Sequence, residues 1–127
     1  GSDNTSQLKF IHDAVSKKEL SQLALPTQDG YRIVSLSEII RCEADANYTR
    51  FFFAKGEKIL VSRTLKEYEE LLSAHQFCRV HHSHLINMNH AVKYNKGEGG
   101  TVIMSDKSEI EVSKRKKEHF LNMLPRS

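Results

Sequence analysis

Tyr48-Thr49-Arg50-Phe51-Phe52-Phe53-Ala54, then Lys55-Gly56-Glu57, then Lys58-Ile59-Leu60-Val61-Ser62 is the stretch on which the fold class turns. Its first limb is rich in Tyr, Thr and Phe, side chains that fit a pleated, half-buried surface. Gly56 lies in a three-residue break, after which apolar residues resume at once, so the unit reads as a β-hairpin. Similar short runs flank it at 31–36, 38–43, 91–95, 101–105 and 109–112. The last three are separated by the turn-forming segments Lys96-Gly97-Glu98-Gly99-Gly100 and Asp106-Lys107-Ser108. Upstream, Pro26 and Gln28-Asp29-Gly30 supply turn signals where the domain begins, near Leu23. Short strands at this even spacing predict an all-β protein, an antiparallel sandwich or barrel.

Two helices interrupt the strands. Thr64-Leu65-Lys66-Glu67 spells a capping box, in which the Thr64 hydroxyl accepts from a first-turn N–H and Glu67 reaches back. Behind it Leu65, Tyr68, Leu71 and Leu72 fall on one helical face, a structural stripe. The second helix is expected from Ser113 as N-cap, with Phe120, Leu121 and Leu124 turned to the body. Its first turn, Lys114-Arg115-Lys116-Lys117, puts four cations where the helix dipole favours acids. One reading is a solvated basic surface; the other is an anion site, with N–H groups and cations converging on a phosphate.

A chain of 127 residues suits one compact domain with a short extension. Its 39% hydrophobic and 28% charged content fits neither disorder nor a membrane protein, and no apolar run approaches the ~20 residues of a bilayer span. Cys42 and Cys78 are too few for a disulfide framework, and the polar N-terminus carries no export pattern, so a reducing cytoplasm is expected. Gly1-Ser2 reads as a tag remnant, residues 3–22 as a linker or helical extension, and residues 23–127 as the domain, a fragment of a longer protein. The net charge of +3 hides an asymmetry: residues 1–75 carry −1, whereas residues 76–127 carry +4 and five of the seven histidines. The cationic end hints at an anionic partner.

The densest polar cluster is Phe77-Cys78-Arg79-Val80-His81-His82-Ser83-His84-Leu85-Ile86-Asn87. Cys78 and the three histidines are metal-ligand types. In an extended segment, however, His82 and His84 share a face and His81 opposes them, and no second Cys/His pair stands at a finger-like spacing. A Cys78–His nucleophilic pair lacks a third residue to orient the base. Arg79, His82 and Ser83 can donate to phosphate or base edges, the alternative being exposed strand or turn residues. His81, among apolar neighbours, reads as structural. Asn47-Tyr48-Thr49-Arg50 offers amide, hydroxyl and guanidinium groups at one loop–strand junction, suited to a groove contact or simply to a polar strand start. There is no phosphate-binding glycine loop ahead of a helix, no nucleophile elbow, and no paired carboxylates in an apolar setting, so an enzyme is not expected.

Together these segments resemble the LytTR DNA-binding domain, the output module of LytR/AlgR-type bacterial response regulators. The resemblance is carried, in family order, by Ile39-Ile40-Arg41-Cys42-Glu43-Ala44, Asn47-Tyr48-Thr49-Arg50, Thr64-Leu65-Lys66-Glu67-Tyr68-Glu69-Glu70-Leu71, the Phe77 to Asn87 run and Val112-Ser113-Lys114-Arg115. It implies an elongated stack of antiparallel sheets with one or two short helices, whose loops enter successive major grooves of double-stranded DNA. Carried over by position, Thr49, His82 and Arg115 would contact bases, and Arg50, Ser83, Ser113, Lys114 and Lys116 would contact phosphates. No metal or other cofactor is expected. The family further implies a paired repeat site, dimer-like occupancy of the DNA, and an upstream receiver domain phosphorylated by a sensor kinase; no membrane partner is expected. Two positions depart from the family pattern. His82 stands where Arg or Lys is frequent, which would make binding pH-sensitive, and Glu111 stands where Pro is frequent. The rival readings are a histidine-rich metal-binding or protein-interaction module on a β scaffold, and a small barrel binding single strands through exposed aromatics.

Overall fold

The computed structural model describes residues 21–125, so nearly all of the expected 3–22 extension and the Gly1-Ser2 remnant lie outside the described residues. Among the described residues, ten strands form three antiparallel sheets. Strands β1 (Gln22–Thr27) and β2 (Gly30–Ser35) make a two-stranded ribbon. The central sheet has five strands in the order β5-β4-β3-β7-β6. They are β3 (Ile39–Asp45), β4 (Tyr48–Phe53), β5 (Lys58–Val61), β6 (Phe77–His81) and β7 (His84–Asn87). The third sheet runs β10-β9-β8, from β8 (Ala91–Asn95), β9 (Thr101–Met104) and β10 (Glu109–Glu111). Helix α1 (Leu65–Leu72) follows β5, and α2 (Lys114–Asn122) follows β10.

The central sheet separates two cores, and strand alternation assigns residues to each. Cys42, Phe51, Phe53, Val61, Phe77 and Leu85 meet Leu23, Leu25 and Val34 of the ribbon and Leu65, Tyr68 and Leu72 of α1. Cys78, Val80 and Ile86, on the opposite face, meet Val102, Met104, Ile110 and Val112 and Phe120 of α2. Adjacent residues thus enter different cores: Phe77 and Leu85 one, Cys78 and Ile86 the other. Phe51, Phe77 and Phe120 are fully buried, each stabilising by roughly 1.5–3 kcal/mol relative to exposure. Phe51 adds an edge-on contact with Tyr68 at 4.8 Å between ring centres.

Three sequence expectations are corrected. Pro26, expected as a turn signal, lies inside strand β1, where a two-stranded ribbon tolerates its missing N–H. Leu71 is 46% exposed, one step off the α1 stripe that Leu65, Tyr68 and Leu72 bury. The cluster from Phe77 to Asn87 folds back on itself as a tight hairpin, with His81 opposite His84. The capping box forms as expected: the Thr64 hydroxyl accepts from the Glu67 N–H, and the Thr64 N–H donates to the Glu67 carboxylate.

Candidate nucleic-acid interface

The hairpin reverses direction at His82–Ser83, and this brings rings together that simple alternation would separate. His81 lies 4.5 Å from His82 and 5.4 Å from His84, centre to centre. The turn backbone is held at four points. The Ser83 N–H donates to His81 Nδ1 at 3.1 Å, which leaves the His81 proton on Nε2 in the neutral ring. The Ser83 carbonyl accepts from Ala44 N–H of β3 at 2.9 Å. Arg79 donates from Nε to the His81 carbonyl at 2.9 Å and from Nη2 to the His82 carbonyl. His82 itself is exposed. His81, half-buried, packs its ring on those of His82 and His84 and accepts from the turn. Arg79 is spent on the turn and on Glu69, and does not reach outward.

Helix α2 begins beside this turn for a definite reason. The Ser113 N–H donates to the Val80 carbonyl of β6 at 2.8 Å, and the Ser113 hydroxyl caps α2 by accepting from the Lys116 N–H at 3.3 Å. From behind, the 96–100 loop supports the same segment. Val112 N–H donates to the Gly100 carbonyl at 2.9 Å, and the Tyr94 hydroxyl to the Gly99 carbonyl at 2.7 Å. The outcome is an open cleft of about 440 Å³ lined by Arg79, His82, Ser113, Arg115 and Lys116. Residues far apart in sequence converge there, with Arg115 and Lys114 exposed and Lys116 half-buried at its edge. The Lys114–Glu98 pair, at 3.5 Å with both side chains mostly exposed, leaves Lys114 effectively solvated.

The β3–β4 turn projects from the same end of the central sheet, because Glu43 pairs with His84 and Ala44 with the Ser83 carbonyl. Thr49, expected to contact a base, is completely buried, and its hydroxyl donates to the Arg63 carbonyl at 2.7 Å. Alternation along β4 turns Thr49 inward while its neighbour Tyr48 stays 45% exposed. Arg50 is partly exposed and bound to Asp45 at 2.9 Å. Exposed Arg63 joins this end of the sheet, a cation that sequence reading missed. The signal was latent in the β4–β5 hairpin: pairing Thr49 with Val61 places the chain just after β5 beside the start of β4.

The metal and nucleophile readings meet specific obstacles. Among the described residues, no three His, Cys, Asp or Glu side chains are grouped to hold a metal ion. Cys78 faces the second core, and burial pushes its thiol up to about 11; burial likewise raises that of Cys42. Such thiols are poor nucleophiles. Of the aromatic run, Phe51 and Phe53 are core, and Phe52 lies under Arg41 at 3.8 Å rather than open for stacking. No helix among the described residues is long and apolar enough to cross a membrane.

Stacked antiparallel sheets thus present two hairpin turns and a cationic helix start at one end of the central sheet. The chain belongs to the LytTR family: the family's model, the LytTr DNA-binding domain, matches residues 29–125. A solved LytTr DNA-binding domain from Bacillus cereus has the same fold, with a TM-score of 0.71 and 25% identity over 84% of this chain and 98% of that one. The chain is also similar to two regulators of Paraburkholderia xenovorans strain LB400. The heme-containing CO-sensing transcriptional regulator RcoM 2 is 30% identical over 81 residues, 63% of this chain and 30% of that protein. RcoM 1, of the same description, is 25% identical over 100 residues, 78% of this chain and 37% of that protein. The chain thus spans about a third of the length of the curated relatives it matches. DNA binding in transcription regulation is the role of this domain family.

Proposed function

We propose that this domain binds a specific double-stranded DNA site and serves as the output part of a transcription regulator. The observation that carries the reading is the cleft in which His82, Ser113, Arg115 and Lys116 converge. Arg115 and His82 read base edges in the major groove, Arg115 by the bidentate geometry that suits guanine. Ser83, Ser113, Lys114, Lys116 and Arg50 position the phosphates, with the α2 N-terminus adding its partial positive charge. At the first turn the exposed Asn47 and Tyr48 replace Thr49 at the groove, since Asn presents an amide matched to adenine.

The finer reading is a cytoplasmic response-regulator output domain, occupying paired repeats as a dimer, with a sensor kinase acting through a receiver domain. Family resemblance supports it. The RcoM names point to a second kind of input, a CO-sensing one, for the same output domain.

Selection of bound sequences from random duplex DNA, followed by binding measured against salt, tests the core of this reading. Arg115→Ala is expected to cost roughly 1–3 kcal/mol on the selected site and to relax discrimination there. Lys116→Ala is expected to weaken selected and random duplex about equally and to make the salt slope shallower by about one. An Arg115→Ala variant that binds the selected site as tightly as the parent removes the base contact. No enrichment of any sequence removes specific recognition altogether.

A further inference from the structure

The turn that carries His82 is held from behind by a group on another element. Arg79 makes three contacts at once: Nη1 to the Glu69 carboxylate of α1 at 2.7 Å, Nε to the His81 carbonyl at 2.9 Å, and Nη2 to the His82 carbonyl. Its side chain is only 16% exposed, and that of Glu69 is 32%. Only the planar five-donor guanidinium can serve three acceptors in fixed directions; an ammonium is a point charge on a flexible stem.

Two further observations show why the turn needs such a clamp. Two-residue hairpin turns that match strand twist require positive φ at one or both central residues, yet neither His82 nor Ser83 has it. The register between β6 and β7 also shifts between Arg79 and His81. This turn is therefore one that local backbone preference does not specify. Glu69, moreover, is an anion beside a surface that attracts phosphate, and on charge alone it weakens every DNA complex. Its offsetting effect is to neutralise and orient Arg79. Glu69 is itself carried on a helix anchored in the first core by Leu65, Tyr68 and Leu72.

We propose that Glu69 and Arg79 are positioning residues for sequence reading, an ion-paired clamp that references the His82 turn to helix α1. This rests on the reading of His82 as a base contact. The clamp acts on discrimination: it holds the His82 ring where it meets a base edge, and contributes nothing to phosphate attraction.

The test compares Glu69→Gln, Arg79→Lys and His82→Ala on the selected duplex and on random duplex, across salt, with Tm recorded for each. Glu69→Gln is expected to weaken the selected site roughly five- to tenfold, while random-duplex affinity holds or rises slightly as the anion is removed. On the selected site the expected sign is opposite to that of simple charge removal. Arg79→Lys keeps a cation opposite Glu69 but loses the fork, so it carries the same expectation even where Glu69→Gln lowers Tm. If Glu69→Gln tightens both duplexes alike, Glu69 is a bystander anion and the clamp is overturned. If Arg79→Lys retains the selected-site affinity, Arg79 acts as a point charge and the clamp is again overturned. Equal loss on both duplexes assigns the pair to stability alone, which also overturns it. His82→Ala separates the two ideas: intact selected-site binding there refutes the His82 contact, whereas a loss there beside an unaffected Glu69→Gln refutes only the clamp.

Discussion

His84 lies opposite Glu43 across β3 and β7, half-buried, with Nδ1 out of contact with water and no hydrogen-bond partner. Burial lowers its pKa; Glu43 opposes the shift, while Arg41, His81 and His82 add to it. The unfolded chain therefore takes up a proton on His84 more readily than the folded one. Its contribution to stability is complete above the unfolded value of about 6.5 and declines as pH falls through that value toward the lower folded one. Denaturant unfolding at pH 7.5 and 5.5 is expected to show lower stability at the acidic pH, and His84→Gln to reduce that difference. An unchanged difference would assign the pH effect elsewhere. Thr49 gives a second residue-scale expectation. Thr49→Val removes the hydrogen bond to the Arg63 carbonyl, so stability falls by ~1 kcal/mol while the preference for the selected duplex over random stays constant. A fall in that preference would restore Thr49 as a base contact. The sequence marked the polar loop–strand junction, but the face each residue took depended on the β4 register.

Among the elements, the 96–100 loop matters more than its hairpin chemistry suggests. A Cβ on Gly99 would lie 1.8 Å from the Val112 carbonyl oxygen, a backbone atom that cannot swing aside, whereas one on Gly97 would meet nothing closer than 3.6 Å. Gly99→Ala is expected to destabilise by roughly 1–3 kcal/mol and, because Val112 leads into the α2 cap, to weaken DNA binding beyond the loss of folded protein. Gly97→Ala is expected to leave both near the parent values, measured by thermal unfolding and duplex titration; equal effects of the two would refute the packing role. Both glycines read alike in the sequence, as turn residues. Element identity was legible where local chemistry decides it: the Thr64–Glu67 capping box, the Ser113 cap and the hairpin of Tyr48–Phe53 with Lys58–Val61 all form. The β1 strand and the hairpin inside the histidine cluster were not, since each depends on a partner strand rather than on local preference.

For the whole molecule, the central sheet couples the two cores, because alternate residues of the same strands enter each. Phe120→Ala in the second core is expected to cost about 3–5 kcal/mol and to lower the common transition followed by far-UV dichroism and by tyrosine fluorescence. Separate transitions for the two probes would mean that the cores unfold independently. By itself the sequence determined the all-β class, two short helices, a cationic C-terminal end and the residue types that line the cleft, because periodicity, capping and charge are local properties written in order along the chain. Only the tertiary structure decided which of those residues meet: Arg115 and Lys116 beside His82, Thr49 turned inward, Arg79 drawn back to Glu69. Strand register and hydrogen bonds between distant segments set those neighbours, and no pattern confined to one segment encodes them.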